Sequence, residues 1–417
     1  MAPFDYDVVI LGGGPAGSTA AATARQHGLR ALVVEKNAFP RFHIGESLLP
    51  AGNATLRATG VWPKVAAAGF IPKFGAEFHR SDGSAVKRIL FSETLVPGLD
   101  SAFQVERARF DAILLEHAQS LGAEVRHRTT ATTITSDPAG HRVTLASAAG
   151  EQSVTAPWII DATGRDPGLR SAQKNALDPS PFPKRIAIFN HFHGVARAAG
   201  RDGGNILVVR HDCGWFWLIP IDAARTSVGL VTTVDAFRAA NLPPPEFFAA
   251  TVTASPKVRA LLAGSSPAME FQVTSDYSYF RRDLAAERLL LAGDAAGFFD
   301  PVFSSGVYMA TWTGRLAADL VARAHAGRRA LTPGERRRYT RKIKRHAAVF
   351  QKLIAAFYDD DAFDVFMCDE VPWDLQPGLN AIVAGCADLS WPLWWRYQVF
   401  LAVCRLQRRW KIVKPPR

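Results

Sequence analysis

Cysteine is scarce in this chain, and the four cysteines among its 417 residues form no CxxC pair. Cys213, Cys368, Cys386 and Cys404 have no zinc-like spacing, so the sequence predicts reduced thiols and no metal site. The basic region of a signal peptide is also missing, as is any apolar run of the roughly 18 residues that a membrane-spanning helix needs. We therefore expect a cytoplasmic protein without a transmembrane segment.

Acidic residues are outnumbered: 38 aspartates and glutamates stand against 49 lysines and arginines, a formal net charge of +11. Basic residues crowd the stretch from Arg336 to Arg345, and the stretch from Arg396 to Arg417 holds seven of them and no acid. Such a surface attracts acidic partners, and the tail could serve as a lid, a docking face for an acidic carrier protein, or a peripheral membrane helix. A merely solubilising surface fits equally well. Because no helix-turn-helix, RNA-binding or zinc-finger pattern occurs, we expect no nucleic-acid partner.

A glycine-rich turn, GGGPAG at residues 12–17, follows an apolar strand near the N-terminus. Gly12 permits a tight turn, Gly14 lets the backbone approach a pyrophosphate at a helix N-terminus, and Gly17 lets helix and strand pack closely. An alanine-rich helix and a second strand ending at Glu35 follow, which completes a βαβ unit of the expected size. The segment therefore predicts a dinucleotide site in which Glu35 binds the adenosine ribose.

Two later segments, Trp158–Gly164 and Leu289–Gly297, each predict a strand followed by a turn of small residues. One dinucleotide site that draws on three separated segments resembles the Rossmann-like FAD-binding fold of the aromatic hydroxylases, an α/β fold. The resemblance implies that Asp294 contacts the ribityl and pyrophosphate part of FAD. It also implies a cofactor contact for Arg107, at the start of a helix.

Alternating, turn-punctuated stretches at residues 75–100 and 186–280 predict an inserted, mostly antiparallel sheet on the substrate side. A helix is expected from about Gly306 to His325, and a capping box at Thr332 begins a long basic helix. The predicted organisation is an FAD-binding core over residues 1–330 and a mainly helical C-terminal region over residues 331–417.

The hexapeptide from Trp215 to Pro220 reads WxWxIP, a pattern that resembles the flavin-dependent halogenases. The resemblance implies that Trp215 and Trp217 shield the flavin. Halide, and not an organic substrate, can then reach the oxygenated cofactor. A buried strand is the alternative interpretation, because alternating aromatic and aliphatic residues also suit the core of a sheet.

Two further stretches resemble the halogenases. The loop from Phe39 to Pro50 is similar to one that the family, like the prenyl reductases, places beside the isoalloxazine. Lys73 lies where the family keeps its catalytic lysine, and its apolar and glycine neighbours reduce solvation of the amine. The resemblance implies that Lys73 relays hypohalous acid to an arene, either by a hydrogen bond or as an N-haloamine; an exposed turn lysine is the alternative.

The stretch from Phe299 to Gly306 matches the FxPxxSxG pattern of the halogenases. Small residues at a helix start present free backbone N–H groups to an anion, so we assign the halide site to the amides of Ser305 and Gly306; a capped helix start without a ligand is the alternative. Tryptophan halogenases carry a glutamate where this chain has Phe303, which favours a phenolic or pyrrolic substrate over free tryptophan. Asp300 is also a candidate for an ester bond to the flavin.

The implied protein is an FADH2-dependent halogenase that uses O2 and chloride or bromide on an electron-rich aromatic substrate, free or tethered to a carrier protein, in natural-product biosynthesis. A separate flavin reductase is expected, because no second dinucleotide fingerprint is visible. A flavin monooxygenase or prenyl reductase, and a non-catalytic flavin-binding scaffold, are the alternatives. The expected cofactor contacts are Gly12, Gly14, Ala16, Gly17, Glu35, Lys36, Ile44, Glu46, Ser47, Arg107, Gly293, Asp294, Pro301 and Gly306.

Overall fold

A computed structural model describes residues 4–165, 176–180, 182–275, 278–368 and 373–413. The end of the basic tail, with Lys414 and Arg417, lies outside these described residues. The strands, in chain order, are β1 Val8–Leu11, β2 Ala31–Val34, β3 Ile71–Lys73, β4 Gly75–Arg80, β5 Val86–Leu90, β6 Ala102–Gln104, β7 Glu124–Arg126, β8 Thr130–Ser136, β9 His141–Ser147, β10 Gly150–Ala156, β11 Trp158–Asp161, β12 Leu177–Asp178, β13 Arg185–His193, β14 Ile206–His211, β15 Gly214–Pro220, β16 Arg225–Thr233, β17 Ser266–Pro267, β18 Gln272–Ser275, β19 Tyr279–Arg281, β20 Leu289–Leu291 and β21 Gly297–Phe298.

Helices surround these strands and dominate the C-terminal part of the chain. In chain order they are α1 Pro15–Gln26, α2 Gly52–Ala58, α3 Trp62–Ala66, α4 Arg107–Ser120, α5 Val234–Ala240, α6 Pro244–Ala254, α7 Pro256–Leu261, α8 Ser305–Ala326, α9 Pro333–Tyr358, α10 Asp360–Met367, α11 Leu375–Val383 and α12 Trp391–Trp410. Helix α9 starts with the predicted capping box, in which Thr332 and Glu335 bond each other's backbone N–H.

A parallel sheet with the order β20-β11-β1-β2-β7 carries the predicted dinucleotide motifs. Its central strand β1 is apolar and fully buried, as expected for a parallel strand covered on both faces. The register pairs Val8 with both Ala31 and Trp158, so β2 and β11 flank β1. The carboxyl ends of these strands consequently meet at one edge, where nucleotides bind in folds of this class.

A second, larger sheet of eight strands contains the region predicted to face the substrate. Strands β13, β16, β15 and β14 pair antiparallel, and β4 joins β14 in parallel before pairing antiparallel with β5. Sequence reasoning did not foresee a three-stranded antiparallel sheet, β10-β9-β8, between the FAD segments. The predicted α/β fold class, with its inserted mostly antiparallel sheet, is confirmed.

The C-terminal helices pack on the N-terminal part of the chain. One continuous apolar cluster extends from β1 residues such as Val8 to Phe350 and Phe357 of α9 and Cys404 of α12. The division proposed at residue 330 falls in the connection between α8 and α9. The two predicted units thus share their core.

Acidic residues from other parts of the chain lie beside the basic tail and partly neutralise its charge. Arg408 pairs with Asp359 at 3.0 Å, Lys411 pairs with Asp361, and Arg396 lies 3.8 Å from Asp374. These acids precede α12 in the chain, so the sequence alone overstates the positive charge of this surface. No helix among the described residues is long and apolar enough to cross a membrane.

Candidate cofactor and halide site

A cavity of about 580 Å³ lies at the carboxyl edge of the parallel sheet and extends to the face of the large sheet. Most of the predicted site residues line it: Gly12, Gly14, Ala16, Glu35, Lys36, Ile44, Glu46, Ser47, Arg107, Trp215, Trp217, Asp294, Pro301 and Gly306. Its volume is in the range of ordinary cofactor pockets. The remaining predicted residues, Gly17, Lys73, Gly293 and Ser305, are not among the lining residues.

The glycine-rich turn forms one end of the cavity. Gly12 has φ +96°, and a Cβ on it would lie 2.4 Å from the Ala162 carbonyl oxygen, so this position requires glycine. A Cβ on Gly17 would lie 1.8 Å from the Gly12 carbonyl oxygen, although Gly17 does not reach the cavity. Gly17 therefore acts through the close approach of α1 to the end of β1.

The carboxylate of Glu35, at the end of β2, faces the same turn. It accepts hydrogen bonds from the backbone N–H of Gly13 at 2.7 Å and of Asn37 at 2.8 Å. These bonds fix the carboxylate beside the N-terminus of α1, where an adenosine ribose would meet it. The predicted ribose contact is therefore pre-oriented by backbone donors.

Arg107, at the first position of α4, organises the loop from Phe39 to Pro50. Its guanidinium donates to both carboxylate oxygens of Asp111, at 2.8 and 2.9 Å, and to the Ile44 carbonyl at 2.7 Å. Arg41 from the loop lies 3.3 Å from the same carboxylate and lines the cavity. Sequence reasoning missed Arg41 and Asp111, although the i, i+4 spacing of Arg107 and Asp111 was a usable signal.

Glu46 lines the cavity and is held by His191 from β13, a partner that the sequence did not suggest. The His191 Nε2 atom lies 2.7 Å from Glu46 Oε1. The second oxygen, Oε2, is buried and has no protein partner among the described residues. A buried carboxylate oxygen without a hydrogen-bond donor is suited to accept a hydrogen bond from a bound group.

The two tryptophans of the hexapeptide form one wall of the cavity. They alternate along β15, so Trp215 and Trp217 face the cavity while Phe216 packs on the opposite side with Phe248. The Trp217 indole lies over Gly229 of β16, where a Cβ would come within 2.1 Å of the ring. The hexapeptide is thus a buried strand and a cavity wall at once, and Gly229 makes room for one of its rings.

Lys73 lies behind Ser47, not in the cavity itself. Its Nζ donates to Ser47 Oγ at 2.9 Å and to the Leu48 carbonyl at 3.0 Å, and Ser47 lines the cavity. The side chain is 1% exposed, and no carboxylate pairs with it in the described ranges. Burial lowers the pKa of Lys73 to about 7. The alternative of an exposed turn lysine is therefore wrong.

Helix α8 begins at the cavity without a side-chain cap. Ser304 precedes it with φ +56°, and its hydroxyl makes no capping bond to the first turn. Ser304, Gly306 and Val307 line the cavity, whereas Ser305 is buried away from it. The opening of α8 therefore presents Gly306, but not the Ser305 side chain, to a ligand.

Phe303 and Asp300, which precede α8, both point away from the cavity. The Phe303 ring packs against Phe78, with ring centroids 5.6 Å apart. The Asp300 carboxylate accepts from the Tyr358 hydroxyl at 2.6 Å and from the Val302 N–H at 3.1 Å. Because neither side chain lines the cavity, an ester between Asp300 and the flavin finds no geometric support.

Comparison with known proteins identifies the family. The profile of the FAD binding domain family matches residues 5–326. The chain is 34% identical over 342 residues to the 1H-pyrrole-2-carbonyl-(peptidyl-carrier protein) chlorinase of Pseudomonas fluorescens, an alignment that covers 76% of each protein. The chain belongs to the flavin-dependent halogenases. Its cofactor is FAD, and this membership favours halogenation over the oxygenase, reductase and scaffold interpretations.

Solved structures resemble this halogenase along nearly its whole length. The flavin-dependent brominase Bmp2 superposes with a TM-score of 0.85 at 27% identity, covering 97% of this chain and 99% of that one. A flavoprotein/dehydrogenase from Cytophaga hutchinsonii superposes with a TM-score of 0.89 at 26% identity, covering 97% and 98%. The fold is therefore shared over nearly the whole chain.

The lining of the cavity fits FAD. The turn at α1, the Glu35 carboxylate and the two arginines supply donors and acceptors for a ribose and a pyrophosphate, while the Trp215 end is apolar enough for a flavin ring. Glu46, whose Oε2 atom has no hydrogen-bond partner among the described residues, also lines the cavity and offers an acceptor to the cofactor. The described residues contain no group of three His, Cys, Asp or Glu side chains that could hold a metal ion.

Proposed function

We propose that this halogenase transfers halogen through the Lys73 amine to an electron-rich arene. The observation that carries the proposal is the position of Lys73, which is buried, lacks a carboxylate partner in the described ranges and hydrogen-bonds Ser47 of the cavity wall. Bound reduced FAD supplies the oxidising chemistry, in which O2 converts halide to hypohalous acid. The protein's own residues must then guide that acid to a single acceptor.

The hydrogen bonds of Lys73 suit it as a nucleophile. A neutral amine has two N–H donors, and Ser47 Oγ and the Leu48 carbonyl occupy both, which leaves the nitrogen lone pair unused. Attack by that lone pair on hypohalous acid forms an N–halogen bond and releases water. Transfer of the halogen to the arene then breaks the N–halogen bond and forms the C–halogen bond, and the proton that leaves the arene carbon restores the second N–H of the amine. A pKa near 7 keeps the neutral form available at neutral pH.

We place the halide at the opening of α8, at the backbone amides of Ser305 and Gly306. The absence of a side-chain cap, the cavity-lining position of Gly306 and the positive end of a 22-residue helix support this site. The other predicted cofactor contacts stay assigned to FAD. Trp215 and Trp217 stay assigned as the shield of its flavin ring.

A pyrrolic or phenolic arene, tethered to an acidic carrier protein, is the substrate class that we infer. The related chlorinase from Pseudomonas fluorescens acts, by its name, on a pyrrole-2-carbonyl group held on a carrier protein. Phe303, which stands where tryptophan halogenases carry a glutamate, packs its ring on Phe78 in the aromatic core, so this position supplies no carboxylate. Reduced FAD is supplied by a separate flavin reductase.

Mass spectrometry of a reconstituted reaction tests this function. The full chain, FAD, a flavin reductase, NADH, O2 and bromide are incubated with pyrroles and phenols, each presented free and loaded on a carrier protein. We expect a bromine isotope doublet on a carrier-loaded arene. Addition of one oxygen atom without bromine would contradict the proposal, and bromination of free arenes alone would contradict the inferred carrier.

A further inference from the structure

A buried polar chain links the cavity wall to the C-terminal helices. The Trp215 Nε1 atom donates to the Tyr358 hydroxyl at 2.7 Å, and that hydroxyl donates to Asp300 Oδ2 at 2.6 Å. Trp215 is on β15, Tyr358 ends α9, and Asp300 precedes the turn that opens α8. One hydroxyl therefore joins three segments that are distant in sequence.

The direction of these hydrogen bonds is fixed by chemistry. An indole N–H can only donate, so the oxygen of Tyr358 must accept from Trp215. The tyrosine proton is then free to point to Asp300, whose carboxylate accepts it. With Asp300 ionised beside Arg185, both ends of the chain keep these roles, and the chain holds the three side chains in a single arrangement.

Arg185 completes the environment of this chain. Its Nε atom lies 3.4 Å from Asp300 Oδ2, and its guanidinium carbon lies 3.5 Å from the centroid of the Tyr358 ring. Asp300 and Arg185 are both buried, so each requires the other to offset its loss of hydration. The ring and the hydroxyl of Tyr358 are thus constrained independently.

We propose that Tyr358 is a positioning residue, which holds the Trp215 indole at the cofactor cavity and couples it through Asp300 to the loop that opens α8. This proposal rests on the proposed shielding role of the tryptophan pair. The Tyr358 hydroxyl thus links the tryptophan shield to the predicted halide site, and both act on the formation of hypohalous acid. Loss of the hydroxyl should therefore release more of the oxidising equivalents as hydrogen peroxide and fewer as halogenated arene.

Tyr358→Phe and Tyr397→Phe form a matched pair of variants. Tyr358→Phe removes the hydroxyl and keeps the ring beneath Arg185. Tyr397 is also in the C-terminal region, is buried, and donates its hydroxyl to the Val349 carbonyl at 2.7 Å, away from the cavity. Both variants remove one buried hydroxyl, with the loss of two hydrogen bonds in Tyr358→Phe and one in Tyr397→Phe. A change of the Trp215 environment that occurs in Tyr358→Phe alone therefore reports the contact with Trp215 and not the loss of a buried tyrosine hydroxyl in general.

The first readout requires neither cofactor nor turnover. The full chain is labelled with 5-fluorotryptophan, and fluorine NMR of the apoprotein resolves its ten tryptophans, with Trp215 assigned by its loss in Trp215→Phe. We expect the Trp215 resonance to shift or broaden in Tyr358→Phe and to stay in place in Tyr397→Phe. An unchanged resonance in Tyr358→Phe, or an equal change in Tyr397→Phe, would overturn the proposal.

The second readout is the hydrogen peroxide released per halogenated product in the reconstituted reaction. Tyr358→Phe should raise this ratio about fivefold, the size expected for losing the one hydrogen bond that holds the Trp215 indole, with FAD affinity within twofold of wild type. A shifted resonance with an unchanged ratio would also overturn the positioning role. If Tyr358→Phe does not fold, Asp300→Asn, which removes the charge that accepts the hydroxyl, should move the same resonance and the same ratio.

Failure of this proposal and failure of the proposed function are distinguishable. The resonance is measured without FAD, halide or arene, so it does not depend on halogen transfer through Lys73. A wild-type chain that makes no halogenated arene would contradict the proposed function and leave the resonance test intact.

Discussion

The two ends of the cofactor cavity are built in different ways. The end at Glu35 is polar and comes from one contiguous strand–turn–helix–strand unit, whose backbone donors hold the carboxylate. The end at Trp215 is largely apolar and combines a strand of the large sheet, the loop before Pro50 and the opening of α8. The last turn of α9 does not line the cavity but bonds Trp215 through Tyr358. The first end is suited to bind a cofactor, and the second to control what reacts there.

The largest expected loss of activity comes from a substitution near the Trp215 end of the cavity. Lys73→Met should lower halogenated product about 10³-fold, the scale of losing a group that takes part in bond making, while the affinity for FAD stays within twofold. Lys87→Met is the matched control, because Lys87 is also buried but bonds the Cys368 carbonyl, away from the cavity. Product yield by mass spectrometry and FAD titration measure both. Full activity in Lys73→Met would remove the lysine from the mechanism.

A substitution at the Glu35 end of the cavity should affect FAD binding alone. Glu35→Gln removes the charge that we assign to the ribose hydroxyls, which should weaken FAD binding about 10- to 100-fold. Product formation should return to the wild-type rate at saturating FAD, because the group lies far from the reacting end. Fluorescence titration and the rate at several FAD concentrations test this. A rate that stays low at saturation would show that the two ends are not independent.

Gly229→Ala tests how tightly the second end is packed. The added Cβ would lie 2.1 Å from the Trp217 ring, so the indole must move, at a cost of about 1–3 kcal/mol in the free energy of unfolding. We also expect more hydrogen peroxide per product. Gly334→Ala in α9, where the nearest atom is Thr332 Oγ1 at 3.9 Å, serves as control. Equal behaviour of the two variants would argue against a fitted tryptophan wall.

The smallest effect concerns pH and stability. Burial lowers the pKa of Lys73 to about 7, below the roughly 10.4 of an unfolded lysine. Above pH 7 the unfolded chain keeps a proton that the folded chain has lost, so this site's contribution to the free energy of unfolding rises with pH until about 10. Relative to Lys73→Met, the wild type should gain about 1 kcal/mol between pH 7 and 8 in urea unfolding. A constant difference would indicate an unshifted pKa.

The contrast between the Glu35 end and the Trp215 end of the cavity also explains which features the sequence could predict. The Glu35 end was predictable because strand, glycines, helix and acid follow one another, and each imposes a local requirement such as the positive φ of Gly12. The tryptophan wall and Lys73 were predicted through family resemblance. Their partners were not, because Tyr358, Gly229 and His191 approach only after the sheets and C-terminal helices assemble.

The basic tail is a second case in which the sequence alone misleads, because its positive charge is overestimated there. Arg408 and Lys411 belong to an acid-free run in the sequence, yet Asp359 and Asp361 pair with them in space. Side-chain periodicity and local charge are short-range signals. Ion pairs across elements depend on topology, which those signals do not contain.

The most direct test compares Lys73→Met and Glu35→Gln in one bromide assay that records FAD affinity and brominated arene together. The account predicts normal FAD binding with product lowered about 10³-fold for Lys73→Met, and weak FAD binding with product restored at saturating FAD for Glu35→Gln. Brominated arene from Lys73→Met at the wild-type rate would contradict the central claim that this amine carries the halogen.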